Sequence, residues 1–357
     1  MALYPGAENE RRIAHGGLAH VVGSIFAACG MSDEDAALLA HTLVASDLRG
    51  IHSHGVLRVP DYVAKLTTGG VDPRGVPRVV REGGSVLVVD GGNSMGQIGG
   101  TFAMRRAIDV ARMTGIAAVA LRGSNHCGAM DHYARMALAH DMIGIAMTNA
   151  LPTMAPWGGK DKIVGINPLA VAIPAGDERP PVLDIAFGAT AHGKIRVYHQ
   201  KGQALPEGWA FDEDGAPTTD TTKALAGLIR PIGDFKGVGL AMVTGILASL
   251  LSGAGYGLET GNMIDGAVAG VDGQFFLALD VAAFEDVERF KSRVDKIVRE
   301  VHASRPAAGV ERLFVPGEME ADFDAKRRRD GIPLNDRTLA DIALIARERG
   351  VATPADW

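Results

Sequence analysis

The chain is poor in several things at once. Its 357 residues hold two cysteines, Cys29 and Cys127, too few for a disulfide framework. Positive charge is in deficit: 36 Lys and Arg against 42 Asp and Glu give a net charge of −6. That argues against a nucleic-acid surface. If the ligand is an anion, its positive groups must be local. No run of about 18 uncharged apolar residues occurs, so no membrane span is expected. The first residues, "MALYPGAENERR", lack the apolar core of a signal peptide, and a cytoplasmic protein is expected. The glycine loop "GGNSMGQIGG" has neither the G-x-G-x-x-G spacing nor a Walker lysine pattern. No internal repeat or low-complexity linker interrupts the chain.

What is present is ordinary in bulk and specific in detail. Apolar residues make up 47% and charged residues 22%, as in a globular protein. Such a length predicts two lobes. The first 70 residues read as helical. Ser32 is placed to cap "SDEDAALLAHTLVASDLRG", and Pro60 fits the first turn of "VLRVPDYVAKLTTGG", which ends at Gly69-Gly70. From Ser85 short apolar runs appear, including "SVLVVDG", "IAAVALRG", "IGIAMTN", "LAVAIPA", "PVLDIAFG" and "QFFLALDV". They read as buried strands, some separated by helices. The third to fifth lack helical spacers, which predicts a mixed sheet. "KGVGLAMVTGILASLLSG" reads as a helix apolar enough to be buried. The last 75 or so residues return to helix, with Asn335 as a cap and Gly350 as a stop. The expected architecture is α/β: a mixed-sheet cofactor domain over 81–304, and a helical lobe built from 1–80 and 305–357.

The stretch "RGIHSHGVLR" concentrates chemistry. His52 and His54 at i, i+2 would face one side of a strand, as metal-binding pairs do, and a metal-dependent hydrolase is one reading of them. No further ligand lies at suitable spacing, and for His52 the plainer alternative is favoured, in which one histidine is exposed and the other caps a helix. If a helical turn starts near Ser53, His54 and Arg58 are i, i+4 neighbours. Arg58 would then grip a carboxylate and His54 would move a proton at the adjacent atom. A plain salt bridge from Arg58 to Asp61 or Asp47 is the alternative. His126 follows the strand "IAAVALRG", at the kind of strand end where open sheets bind ligands. Its neighbour Cys127 suggests a thiol protease only weakly, since catalytic pairs usually converge from distant positions. The loop "GGNSMGQIGG" reads as a structural helix start. Lys236, at the start of a helix, opposes the helix dipole, which favours a ligand role.

Seven blocks, in order and across nearly the whole chain, resemble the second-type malate/L-lactate dehydrogenase family. They include "SDLRGIHSHGVLRVPDYVAKLTTGG", "LRGSNHCGAMDHYARMALAHDMIGIAMTN", "VLDIAFGATAHGKI", "GDFKGVGLAM" and "LFVPGE". The resemblance implies a non-Rossmann fold, a homodimer with its site near the interface, and an NAD- or NADP-dependent oxidoreductase. Its substrates would be small 2-hydroxy or 2-oxo acids, or cyclic imino acids. It also implies that His54 or His126 transfers the proton, with the spacing to Arg58 favouring His54. Arg58 would hold the substrate, with Ser53 and Tyr62 near it. Cofactor contacts would fall on Thr148 and Asn149, on Asp184, Ile185 and Ala186, on Phe235 and Lys236, and on Gly317 and Glu318 of "PGE". No metal is implied. Ureidoglycolate enzymes of the family carry a Ser-Asp pair where Ala150 and Leu151 stand here, which argues against that substrate.

Overall fold

The computed structural model describes residues 10–263, 265–354 and 357. The chain opens with β1 (Arg11–Ile13), α1 (His15–Ala28), α2 (Asp33–Leu48) and α3 (Val59–Thr68). Ser32 caps α2 by accepting from the Asp35 amide at 3.1 Å. Three acids in that first turn suit the positive helix end. Pro60 lies in the first turn of α3, and Gly69 ends it at φ 94°.

The central segment runs β2 (Arg78–Gly83), β3 (Val86–Asp90), α4 (Gly96–Thr114), β4 (Ile116–Ser124), α5 (Asp131–Met136), β5 (Met142–Thr148), β6 (Pro152–Met154), β7 (Val164–Gly165), β8 (Leu169–Ala172) and β9 (Val182–Ile185). It continues through α6 (His192–Gln200), β10 (Ala210–Phe211), β11 (Pro217–Thr218), α7 (Thr221–Ala226), β12 (Leu228–Ile229), α8 (Phe235–Ser249) and β13 (Asp272–Asp280). The chain closes with α9 (Val287–Ala303), α10 (Glu318–Asp330), β14 (Ile332–Leu334) and α11 (Asp336–Glu348).

A seven-stranded sheet has the order β2-β3-β4-β13-β5-β8-β9. It is mixed. β3 and β4 are parallel, joined through α4 as a parallel pair requires, and every other pairing is antiparallel. All six apolar runs read from the sequence become strands of this sheet. β2 is the one added strand. It is a mostly exposed edge and carries no run of buried positions to betray it.

Three apolar cores form. One joins α1, α2 and α3 to Ile332, Leu339 and Ile342 near the other chain end, and β1 pairs with β14 across the same gap. The second lies between the sheet and α4, where Met104, Ala107 and Ala111 meet Leu121 and Phe276. The third, around Met154, Phe187, Ile195 and Ile229, belongs to the segment between β6 and α8.

The expectation that the apolar helix at 235–249 is buried is corrected. α8 packs one side on β13 and β5 and leaves Phe235, Leu240, Val243 and Ile246 exposed, followed by Leu250 and Leu251. The sheet can cover only one side of a helix, so an all-round apolar sequence leaves its second side to something else.

Candidate active site

α2 ends at Leu48, and the chain then turns twice before α3. His52–His54 and Val56–Arg58 are separate 3-10 turns, with Gly55 extended between them at φ −92°, ψ −156°. The continuous helical turn expected from Ser53 to Arg58 is therefore absent. Its cause is Asp47, whose Oδ2 accepts from the Val56 amide at 2.7 Å and whose Oδ1 takes His52 Nδ1 at 2.6 Å. A Cβ on Gly55 would fall 2.1 Å from that carboxylate. Arg327 of α10 completes the clamp, donating to the Asp47 carbonyl and approaching His52 Nε2 at 3.0 Å. His52 is thus a structural residue with both ring nitrogens engaged. Among the described residues no three His, Cys, Asp or Glu side chains group to hold a metal.

His54 and Arg58 do reach one cavity, of about 360 Å³, which His126 also lines. The His54 and His126 rings stack, with centroids 5.4 Å apart and planes inclined by 11°. A relay of hydrogen bonds orients His126. Buried Gln97 donates Nε2 to the Tyr62 hydroxyl at 3.0 Å. The hydroxyl in turn lies 2.6 Å from His126 Nδ1; with the hydroxyl donating, the imidazole carries its proton on Nε2. Among the described residues, His54 Nδ1 pairs with its neighbour's hydroxyl, Ser53 Oγ, at 2.9 Å. Arg58 donates Nε to the Ser53 carbonyl at 2.7 Å and Nη1 to Asp61 at 3.1 Å. The salt bridge to Asp61 and a place on the cavity wall are therefore both real.

Burial first, then Arg58, pushes the His54 pKa down to about 3. His126 is held well below the usual histidine value by burial, then by His54 and Arg58. His54 is nevertheless only half-buried by area, because it faces the cavity, so water there moderates its shift. Two imidazoles and a guanidinium this close cannot all be charged. An anion beside Arg58 would let one imidazole take a proton. Burial pushes the Cys127 thiol up to about 12, which removes the thiolate a protease needs.

A second cavity, of about 540 Å³, shares Ser53, His54, Gly128, Ile166, Pro168 and Ala191 with the first. Asp184, Ala186 and Gly317 line it, with Arg49, Asp131 and Glu320. Burial, then the Asp131 carboxylate, raises the Asp184 carboxyl to about 7. Gly317 has φ 88°, and a Cβ there would lie 2.8 Å from the Val182 carbonyl. Two joined cavities, one lined by small residues and acids and the other by imidazoles and a guanidinium, fit an elongated dinucleotide ending beside a small anion.

Known proteins resemble this chain over most of its length. The family model described as malate/L-lactate dehydrogenase matches residues 13–343. The L-sulfolactate dehydrogenase of Methanocaldococcus jannaschii is 38% identical over 322 residues, covering 90% of this chain and 92% of its own. Its solved structure superimposes with a TM-score of 0.90. The structure of malate dehydrogenase from Pyrococcus horikoshii has a TM-score of 0.90 at 34% identity, covering 97% of this chain and 98% of its own. The ureidoglycolate dehydrogenase (NAD(+)) of Escherichia coli K12 is 32% identical over 304 residues, 85% of this chain and 86% of its own. This chain belongs to the malate/L-lactate dehydrogenase family. It is an oxidoreductase whose reaction is a dehydrogenation or its reverse, and the hydrolase reading of His52 and His54 is set aside.

Within this family member, not every position carried over from the resemblance meets a cavity. Thr148 and Asn149 line the first, with both side chains also bonded to backbone: Thr148 Oγ1 to the Asn149 carbonyl at 3.0 Å, Asn149 Nδ2 to the Gly255 carbonyl at 2.8 Å. Ile185 lines neither cavity, and nor does the buried Glu318, whose carboxylate takes the Val315 amide and His302. Phe235 and Lys236 are exposed and line neither. The loop "GGNSMGQIGG" also stays outside both, but a Cβ on Gly96 would lie 2.1 Å from the Asn125 carbonyl and 2.6 Å from that of His126. Sequence reading missed Gln97, Asp47 as a clamp, and Gly193, whose added Cβ would stand 3.2 Å from Arg58 Nη2. No local pattern marks them, since each acts on a neighbour distant in sequence or across a turn.

Proposed function

We propose that the enzyme transfers hydride between a nicotinamide and C2 of a small 2-oxo or 2-hydroxy acid. The observation that carries this is the meeting of His54, His126 and Arg58 on one cavity wall that continues into the cavity of Asp184, Ala186 and Gly317. The nicotinamide, when bound, supplies or takes the hydride. Arg58 holds the carboxylate, and its charge is then matched. His126 carries the proton to or from the C2 oxygen through Nε2, because its other nitrogen is held by a hydroxyl that is itself held. His54, tied only to Ser53, packs against that ring and orients it. Ser53 positions Arg58 through its carbonyl, and Tyr62 positions His126. Ala150 and Leu151 give the cavity an apolar stretch that offers no hydrogen bonds to a ureido group.

We read the cofactor as NAD. Among the described residues lining the second cavity the cation is Arg49, 2.7 Å from Asp131. That contact is close but off-axis, an electrostatic pairing rather than a directed bond. Glu320 is an acid that would accept from a ribose hydroxyl and repel a 2′-phosphate, and Asp184, its carboxyl raised to about 7, would accept from a hydroxyl while carrying only part of a charge at neutral pH. The test is a panel of 2-oxo acids and cyclic imino acids assayed with NADH and with NADPH. Turnover of 2-oxo acids with NADH is expected. Turnover confined to imino acids, or tenfold better with NADPH, overturns the respective part.

We further read the protein as a homodimer. Leu240, Val243, Ile246 and Leu250 are exposed at spacings of three and four, which is one stripe of a helix. A second copy covering that stripe would also bring the otherwise unplaced Phe235 and Lys236 to an interface. Light scattering should give twice the chain mass, and Leu240→Lys with Val243→Lys should halve it. The two free, buried cysteines suit a reducing compartment, and we place the enzyme in the cytoplasm.

A further inference from the structure

We propose that Arg327, in the last turn of α10, is a positioning residue for the reaction: through His52 and Asp47 it sets the loop that presents His54 and Arg58 to the substrate. This rests on the reading above, in which Arg58 takes the carboxylate beside C2.

The C-terminus of α2 is the first observation. The last carbonyls of a helix lack partners within it and carry partial negative charge. α2 has no basic residue in its last turn. Arg327, 280 residues away in the chain, supplies the missing cation, and its Nη1 donates to the Asp47 carbonyl at 2.5 Å. Both residues are buried, Arg327 at 5% exposure and Asp47 at 1%. A guanidinium and a carboxylate so far from water are tolerable only when each is answered by the other's surroundings.

The arrangement of protons is the second. Arg327 Nη1 also lies 3.0 Å from His52 Nε2. A guanidinium can only donate, so Nε2 accepts and the imidazole proton sits on Nδ1. Nδ1 then donates to Asp47 Oδ1 at 2.6 Å. Asp47 Oδ2 is left to accept the Val56 amide at 2.7 Å. The other tautomer, or the imidazolium, would aim an N–H at the guanidinium. Arg327 therefore sets the direction of every bond from itself to Val56.

That series shapes what the substrate meets. The bond to Val56 holds Gly55 extended between its two turns. Arg58 hangs from the same loop, its amide donating to the Gly55 carbonyl at 3.0 Å and its Nε to the Ser53 carbonyl at 2.7 Å. Ser53, His54 and Arg58 line the first cavity, whereas Arg327 lines neither. The opposite end of α10 lines the second cavity through Gly317, Met319 and Glu320. Arg327 follows Glu320 by seven residues, about 10 Å along the helix axis, so its effect on the acid is separable from any effect on the cofactor.

The test uses the full-length enzyme with NADH and pyruvate or oxaloacetate, and the dissociation constant of oxamate from the NADH complex. Arg327→Met should lower kcat/KM for the better of the two acids at least 10-fold, mainly through KM, and should weaken oxamate by a similar factor. The NADH dissociation constant, read by fluorescence, should change less than 3-fold. Arg327→Lys should recover part of the loss, because an ammonium can still donate to the carbonyl and the imidazole. His52→Ala breaks the same series one bond on. Combined with Arg327→Met it should add less than 3-fold to the larger single loss, since both act through Asp47. Should Arg327→Met not fold, Arg327→Lys and His52→Ala carry the same split between KM and NADH affinity. Wild-type kinetics in Arg327→Met, or losses that multiply in the double variant, overturn the proposal. So does a parallel loss of NADH affinity, which would reduce Arg327 to docking α10. Each of these leaves the 2-oxo acid reading standing, whereas a wild type that neither turns over a 2-oxo acid nor binds oxamate would sink both.

Discussion

Two loops present the two stacked imidazoles, and they are held in unlike ways. The His54 loop is shaped from its own neighbourhood, where Asp47 takes the Val56 amide nine residues on and His52 five residues on, with Arg327 of α10 bracing Asp47 and His52 from outside. The His126 loop is anchored from across the fold. Asn125 donates to Asn93 Oδ1 at 3.0 Å and the Ser94 carbonyl at 2.9 Å, and accepts from the Gly270 amide, 145 residues away, at 2.7 Å. The difference extends to the rings. His126 is oriented through Tyr62 by Gln97, whereas His54 leans on the adjacent Ser53. A group that must repeat a proton transfer at one geometry needs the stiffer mounting. That is why we propose His126 for the proton-transfer role, although spacing in the sequence favours His54.

The comparison breaks most visibly in single replacements of the two histidines. His126→Asn should lower kcat by about 10²–10⁴-fold, the usual worth of general acid–base catalysis, while NADH still binds. His54→Asn should act about tenfold, more on KM than on kcat. The reverse pattern in steady-state kinetics would return the catalytic role to His54.

The same contrast explains what could be read in advance. The sheet's six apolar runs, the Ser32 cap, Pro60 at the start of α3 and Gly69 at its end are local signals, and they stand in the structure. In "RGIHSHGVLR" His54 and Arg58 lie four residues apart, and the structure does bring both to one cavity. The backbone between them was not legible, because a carboxylate from the preceding helix decides it. Nothing near Gln97 announces a partner at Tyr62, 35 residues away, or a ring beyond it at His126. Gly193 escaped for the same reason: α6 meets Arg58 only through the fold. The α8 stripe misled in the other direction, since apolar residues signal burial without saying by what.

Arg58→Lys comes next in size. It keeps the charge but loses the fork, and one charge-assisted hydrogen bond is worth about 1.5–3 kcal/mol, so kcat/KM should fall at least tenfold. The Ser53 carbonyl and Asp61 would lose their partner as well, so a modest drop in thermal midpoint should accompany it. Unchanged kinetics would reduce Arg58 to its salt bridge. Tyr62→Phe tests the mounting itself. Removing the hydroxyl frees His126 Nδ1 and orphans Gln97 Nε2. We expect a few-fold loss in kcat with KM nearly unchanged, and about 1–2 kcal/mol less stability from the orphaned buried amide. A loss confined to KM would mean that Tyr62 acts on the substrate rather than on His126.

The smallest effect separates the rings by charge rather than by position. His54 has a folded pKa near 3 against 6.5 for an ordinary histidine. Its folded value is depressed, so the unfolded chain binds the extra proton first. The corresponding stability is present above pH 6.5 and is lost as pH falls toward 3. The limit is about 1.4 kcal/mol per pH unit, and the cavity water beside His54 reduces it, so about 1 kcal/mol is expected between pH 6.5 and 4.5. His54→Asn removes this proton uptake. Denaturant midpoints of the variant should therefore decline less steeply with acid than those of the wild type, whatever constant offset the lost ring stacking adds. Saturating oxamate, a carboxylate beside Arg58, should flatten the wild-type curve too, because its charge favours the imidazolium that burial opposes. Parallel curves for the wild type and His54→Asn, with and without oxamate, would show that the two rings do not share the field of Arg58.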